Sequence, residues 1–130
     1  MVNPVSISDK VIIGGKNPLV LFGGPCVIEN EESCFEIAEM LCAITKKHNI
    51  SYVFKASYDK GNRGKDSAYR GPMIEKGLEI LSNVRKKYNI PVVFFDRVPD
   101  LPDMYSVSCN LQNSAAELVD WLVGQGHRKI

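Results

Sequence analysis

Three short apolar runs, "LVLFGG" at 19–24, "ISYVFKAS" at 50–57 and "IPVVFFD" at 90–96, alternate with two longer segments whose apolar residues recur at helical spacing. This alternation constrains the chain more than any other feature. Parallel strands need a crossover of a dozen or more residues between them, and a helix is the usual way to supply it. The pattern predicts an α/β fold of βαβ units with a parallel sheet: strands near 19–23, 51–56 and 91–95, and helices near 31–48, 72–88 and 114–124.

Between Glu31 and Lys47, Phe35, Ile37, Ala38, Leu41 and Ile44 make the expected buried stripe, with acids early and Lys46, Lys47 and His48 late, as the helix dipole prefers. Asn49 is the expected stop. In the second helix the stripe is Ile74, Gly77, Leu78, Leu81, Val84 and Tyr88, and Gly124 or Gly126 ends the third. Ahead of the first core strand, "VSISDKVII" reads as a hairpin, and "YSVSC" reads as a further short strand.

A length of 130 residues predicts a single domain. The net charge of +1 gives no general pull toward nucleic acid or membrane, and no apolar run approaches the ~20 residues of a membrane span. The first residues lack a signal-peptide layout, so a cytoplasmic location is expected. The four cysteines form no C-x-x-C pair, and reduced thiols are the expectation. Cys34 and Cys42 lie more than two helical turns apart and are read as packing residues.

In a βαβ arrangement the segments after Phe22, Phe54 and Phe95 emerge at one carboxyl-end face of the sheet, which makes Cys26, Lys55 and Asp96 neighbours. The loop "KASYDKGNRGKDSAYRGP" sets Lys55, Lys60, Arg63, Lys65 and Arg70 against only Asp59 and Asp66. A run of charge is ordinarily a solvated loop. Here Lys55 is joined directly to an apolar strand end, and Asn62, Arg63, Tyr69 and Arg70 add donors suited to phosphate or carboxylate. Small anions fit this cluster better than a polynucleotide, which needs cations over a wide face with interleaved aromatics. Cys26, after the Gly-Gly-Pro corner, reads either as a small buried hydrophobe or as a ligand or nucleophile at a strand end.

"VLFGGPCVIE", "YVFKASYDKGNR" and "AYRGP", in this order, resemble the 3-deoxy-D-manno-octulosonate 8-phosphate synthases, which condense phosphoenolpyruvate with arabinose 5-phosphate. The resemblance runs from about residue 5 to residue 93. It implies the N-terminal half of a TIM (β/α)8 barrel preceded by a β-hairpin, a flat doubly wound sheet being the alternative. It also implies a cytoplasmic transferase of lipopolysaccharide (Kdo) biosynthesis that takes small phosphorylated substrates and works as a homo-oligomer. By the same resemblance Lys55 and Lys60 act at the phosphoenolpyruvate end, and Ser57, Asn62, Arg63 and Arg70 bind substrate. Cys26 resembles the cysteine of the metal-dependent branch, one ligand of a divalent iron, manganese or zinc ion. That site is expected to be incomplete, since His48 and His127 are the only histidines and neither is placed to join it.

After "NIPVV" the family's strand-end pattern gives way to "FFDRVPD", which carries an aspartate one place later, so Asp96 is not expected to do the family aspartate's work. Residues from about 90 to 130, "IPVVFFDRVPD", "YSVSCN" and "AAELVDWLVGQGHRKI", instead resemble part of the effector-binding domain of lactose-repressor-type regulators. The expected organisation is one α/β domain, with a synthase-like part over 1–93 and a divergent part over 94–130. Because such a barrel usually takes ~250 residues, the chain by itself is expected to be catalytically incomplete. A non-catalytic chimeric or engineered α/β domain with an anion pocket, and a fragment of a sugar-responsive transcription regulator's effector domain, are the competing readings.

Overall fold

The computed structural model describes residues 3–65, 67–95, 106–107 and 110–130. Asp96 and Cys109 lie outside the described residues, as does Asp66. The element order is β1 (Val5–Ser8), β2 (Val11–Ile13), β3 (Val20–Gly23), α1 (Glu31–Lys47), β4 (Ser51–Phe54), α2 (Met73–Tyr88), β5 (Phe94–Phe95), β6 (Ser106–Val107) and α3 (Leu111–Gly124).

β3 and β4 pair in parallel with Val20 opposite Ser51 and Gly23 opposite Phe54, and a single parallel bridge from Phe54 to Val92 brings the third run alongside. β5 then pairs in parallel with β6. The result is an α/β fold with a short parallel sheet, as the alternation of apolar runs requires. Both faces of β4 are covered. Tyr52 and Phe54 join Cys34 and Ala38 of α1 and Ile80, Leu81 and Val84 of α2 in the main core. Val53, on the opposite face, packs with Ile7 and Val11 of the N-terminal hairpin. A strand buried on both sides reads as a continuous apolar run, which is how "YVF" reads.

The hairpin forms as expected, with Val5 opposite Ile13 and Ser6 opposite Ile12, and a register shift before Ser8. Its apolar residues also meet Val20 and Val93, so it caps the face of the sheet that the helices leave open. α1 and α2 are tied to each other beyond their apolar contact. The Tyr88 hydroxyl donates to the Phe35 carbonyl at 3.0 Å, and Asn83 Nδ2 donates to Glu31 Oε1 at 2.7 Å. Phe35 and Tyr88 meet edge to face at 6.2 Å, a favoured aromatic geometry.

The helix boundaries follow from local chemistry. The Asn30 side chain accepts from the Ser33 backbone N–H at 2.8 Å and starts α1, while Asn49 and Asn89 take left-handed conformations just past the ends of α1 and α2. Each asparagine turns the chain back toward the sheet, into β4 at Ser51 or toward the bridge at Val92. Two buried stripes differ from the expected ones. Ile44 and Ile74 are exposed, whereas Cys34, Thr45 and Ile80 are buried. α1 thus approaches the sheet through Cys34 and Ala38, whose small side chains allow close packing, and the face carrying Ile44 is turned outward. β3 starts at Val20, and Leu19 is 88% exposed; β4 ends at Phe54. α3 starts at Leu111, earlier than the expected 114, and none of its residues is buried.

Ile80 and Ile74 make a matched test of this packing, being the same residue type on the same helix with 2% and 45% exposure. Ile80→Ala is expected to cost about 2–5 kcal/mol in urea unfolding, through lost burial and a cavity. Ile74→Ala is expected to stay within about 0.5 kcal/mol.

Candidate functional site

The ladder between β3 and β4 runs one step past the strands. Lys55 N–H donates to the Gly23 carbonyl at 2.8 Å, and Ile28 N–H donates to the Ser57 carbonyl at 2.9 Å. The loop after β3, which carries Cys26, is therefore bonded to the loop after β4 at the carboxyl end of the sheet. Gly24 sits at the crossing with φ +152°, where a Cβ would lie 2.2 Å from the Lys55 carbonyl oxygen. Only glycine lets the two backbones come this close.

The loop after β4 closes on itself. Lys60 N–H donates to the Arg70 carbonyl at 2.7 Å, and Met73 N–H donates to the Tyr58 carbonyl at 3.1 Å. Gly71, at φ +115°, lies against that same Tyr58 carbonyl, 2.4 Å from where its Cβ would be. Gly77 of α2 lets Tyr58 pack onto the helix, since a Cβ there would sit 2.3 Å from Tyr58 Cβ. The glycine in the α2 stripe is thus a space requirement set by the loop.

Within this frame a cavity of about 530 Å³ opens at the carboxyl ends of the strands, lined among others by Lys55, Ser57, Asp59, Lys60, Asn62 and Arg70. Its size falls in the range of small-molecule pockets. Three cationic side chains face one carboxylate on its lining, which gives the cavity a positive potential in a chain of net charge +1.

The structure thus brings together five of the seven residues expected at the site: Lys55, Ser57, Lys60, Asn62 and Arg70. Arg63 and Cys26 are not on the cavity lining. Arg63 is half-buried, and its guanidinium donates to the Tyr69 carbonyl. Cys26 is exposed.

Two side chains do something other than the sequence suggested. The Tyr69 hydroxyl donates to the Ile28 carbonyl at 2.9 Å, fastening the two loops together rather than presenting its proton to an anion. The Arg70 guanidinium is engaged by Asp59, through Nε to Oδ1 at 3.0 Å and Nη2 to Oδ2 at 3.1 Å. Asp59 read in the sequence only as a partial offset to the cations. The signal available was an acid beside Lys60 in an otherwise basic loop, but nothing in the spacing assigns it to Arg70.

Among the described residues no group of three His, Cys, Asp or Glu side chains could hold a metal ion. His48 caps the end of α1 and His127 follows α3, both exposed. Catalytic metal sites normally take three or more protein ligands, and the described residues gather no such set around Cys26. No helix among the described residues is long and apolar enough to cross a membrane.

A parallel sheet with its helices behind it and a cationic cavity at the strand ends is the usual plan of an α/β protein that handles small anionic molecules. The chain belongs to the DAHP synthetase I family, whose model matches residues 2–122. That match continues past the strand at which the regulator likeness sets in. Among its relatives are proteins named 2-dehydro-3-deoxyphosphooctonate aldolase. The one from Desulfotalea psychrophila is 40% identical over 124 residues, covering 92% of this chain and 41% of the relative. The one from Desulfatibacillum aliphaticivorans is 44% identical over 100 residues, 77% of this chain and 37% of the relative. The one from Geobacter sulfurreducens is 51% identical over 84 residues, 65% of this chain and 31% of the relative. The chain thus spans between 31% and 41% of the length of these relatives.

The thiols differ in a way that reagents can read. Burial, with the Glu31 carboxylate adding to it, pushes the Cys34 thiol up to about 11, and burial also raises that of Cys42. The thiolate is the reactive form, so alkylation near neutral pH is expected to label exposed Cys26 first, then Cys42, with Cys34 last. Peptide mass mapping over time reads the order. Separately, Gly71→Ala is expected to lower stability by more than about 1 kcal/mol, because it sets a left-handed residue against the Tyr58 carbonyl. Thermal unfolding measures that loss.

Proposed function

We propose that the chain forms the N-terminal half of a TIM-type barrel belonging to a 3-deoxy-8-phosphooctulonate synthase, and that the cavity is its phosphoenolpyruvate and aldose phosphate site. The observation that carries this reading is the convergence of Lys55, Lys60 and Asn62 on one cavity at the carboxyl ends of the strands. The names of the relatives support the same reaction class. The β-hairpin against Val53 and Val93 suits a barrel better than a flat sheet, since it covers the face that would become the barrel's interior.

The reaction joins phosphoenolpyruvate to arabinose 5-phosphate: a carbon–carbon bond forms to the aldehyde carbon, water adds, and inorganic phosphate leaves. Both substrates are anions, and the protein's first task is to hold their charges close together. Lys55, at the end of β4, and Lys60, in the loop, neutralise the phosphate and carboxylate of phosphoenolpyruvate. Asn62 donates to the aldose phosphate from the cavity wall, with Ser57 beside it. Arg63 reaches that phosphate by exchanging the Tyr69 carbonyl for it, which lets a charge-assisted bond replace a neutral acceptor. Fixing both partners in one geometry lowers the entropic part of the barrier. Any divalent metal would take Cys26 as one ligand and draw the rest from beyond the described residues.

Because the chain covers at most 41% of the relatives' length in these alignments, ligand binding is the direct readout. Calorimetric titration of the chain with phosphoenolpyruvate is expected to show millimolar or tighter binding that weakens as salt screens the cavity. Lys60→Ala/Asn62→Ala is expected to abolish the heat signal while the circular dichroism spectrum stays unchanged. Undiminished binding by that variant would remove the cavity from consideration. Phosphate release on adding arabinose 5-phosphate separates a working synthase from an anion-binding module.

A further inference from the structure

We infer that Asp59 and Arg70 are positioning residues, a clamp that holds Lys60, Gly61 and Asn62 against the cavity. The inference deepens the anion-site reading above and rests on it for its ligand. Arg70 engages this segment twice. Its side chain grips Asp59 through two parallel bonds, and its carbonyl accepts from the Lys60 N–H at 2.7 Å. Two consecutive residues of the loop, Asp59 and Lys60, are thus gripped by a single residue that lies ten positions beyond Lys60 in the chain. Asn62 follows two places after Lys60.

The Asp59 side chain is 11% exposed and that of Arg70 39%, so the pair is sheltered on the carboxylate side and reaches solvent on the guanidinium side. A planar guanidinium meeting a carboxylate through two bonds fixes direction as well as distance, which a lysine does not. Lys60 is a long, flexible side chain whose aim depends on where its backbone is held. With the clamp closed, Lys60 and Asn62 emerge into the cavity. With it open, the loop keeps the tie at Tyr69 and loses the one beside Lys60.

This role and a direct ligand role for Arg70 predict opposite signs for one substitution. Asp59→Asn removes a negative charge from the cavity wall and loosens Arg70. If Arg70 itself binds the anion, phosphate affinity rises, since both the local potential and the free donors increase. If the pair is a clamp, affinity falls although the site has become more positive.

The chain is titrated with inorganic phosphate and with phosphoenolpyruvate, following the Lys60 and Asn62 amide resonances, and hydrogen exchange at the Lys60 amide is measured without ligand. For Asp59→Asn and for Arg70→Lys the expected results are phosphate binding weakened by about threefold or more and Lys60 exchange faster by about tenfold, with Val53 exchange unchanged. Asp59→Glu, which keeps the carboxylate, is expected to recover part of both. Phosphate binding by Asp59→Asn that equals or exceeds that of the unaltered chain overturns the inference, and so does unaltered exchange at Lys60. If the unaltered chain binds neither anion, the functional reading fails, while exchange at Lys60 still decides whether the clamp exists.

Discussion

The parallel pairing of β3 with β4 is the constraint on which the other parts depend. A parallel pair cannot be closed by a tight turn, so α1 is obligatory between them, and its length sets where Cys34 and Ala38 meet the sheet. The ladder continues through Lys55 to Gly23, which fixes the point at which both following loops leave the sheet. Everything proposed for the site begins from that shared exit. Had the strands paired antiparallel, the loops carrying Cys26 and Lys55 would leave at opposite ends.

Glycine placement is the second element of this design. Gly24 and Gly71 hold left-handed conformations where a side chain would strike a carbonyl oxygen, and Gly77 makes room on α2 for Tyr58. These three positions let two polar loops and a helix approach without intervening side chains. The two loops are then tied together by Tyr69 to Ile28, and the second is closed on itself by Arg70 to Asp59, so a segment rich in charge is held in one shape. A solvated charge run lacks such ties. Their presence distinguishes this loop from the ordinary surface loop that its composition suggests.

The relatives are longer than the stretch this chain matches. The family match runs through residue 122, and the chain corresponds to at most 41% of each of these relatives. β3 pairs on one side only among the described residues, and Phe22 on it is 45% exposed. In the proposed barrel, the first strand takes its second neighbour from the far end of the barrel sequence.

The order of elements, the hairpin, the stop of α1 near Asn49 and the exit of the loops after β3 and β4 at one end of the sheet were legible in the sequence. They follow from hydrophobic period, crossover length and the rule that successive parallel strands point the same way, all of which are local or topological. Which face of α1 and α2 is buried was less legible, because Ile44 and Ile74 fit a helical stripe as well as Cys34 and Ile80 do. Packing chose the face on which small residues allow close approach. The partners of Arg70, Arg63 and Tyr69 were decided by tertiary structure alone. A cation or a hydroxyl in a loop can meet substrate, solvent or a neighbouring carbonyl with equal chemical ease, and only the path of the backbone determines which of these lies within a hydrogen bond's length.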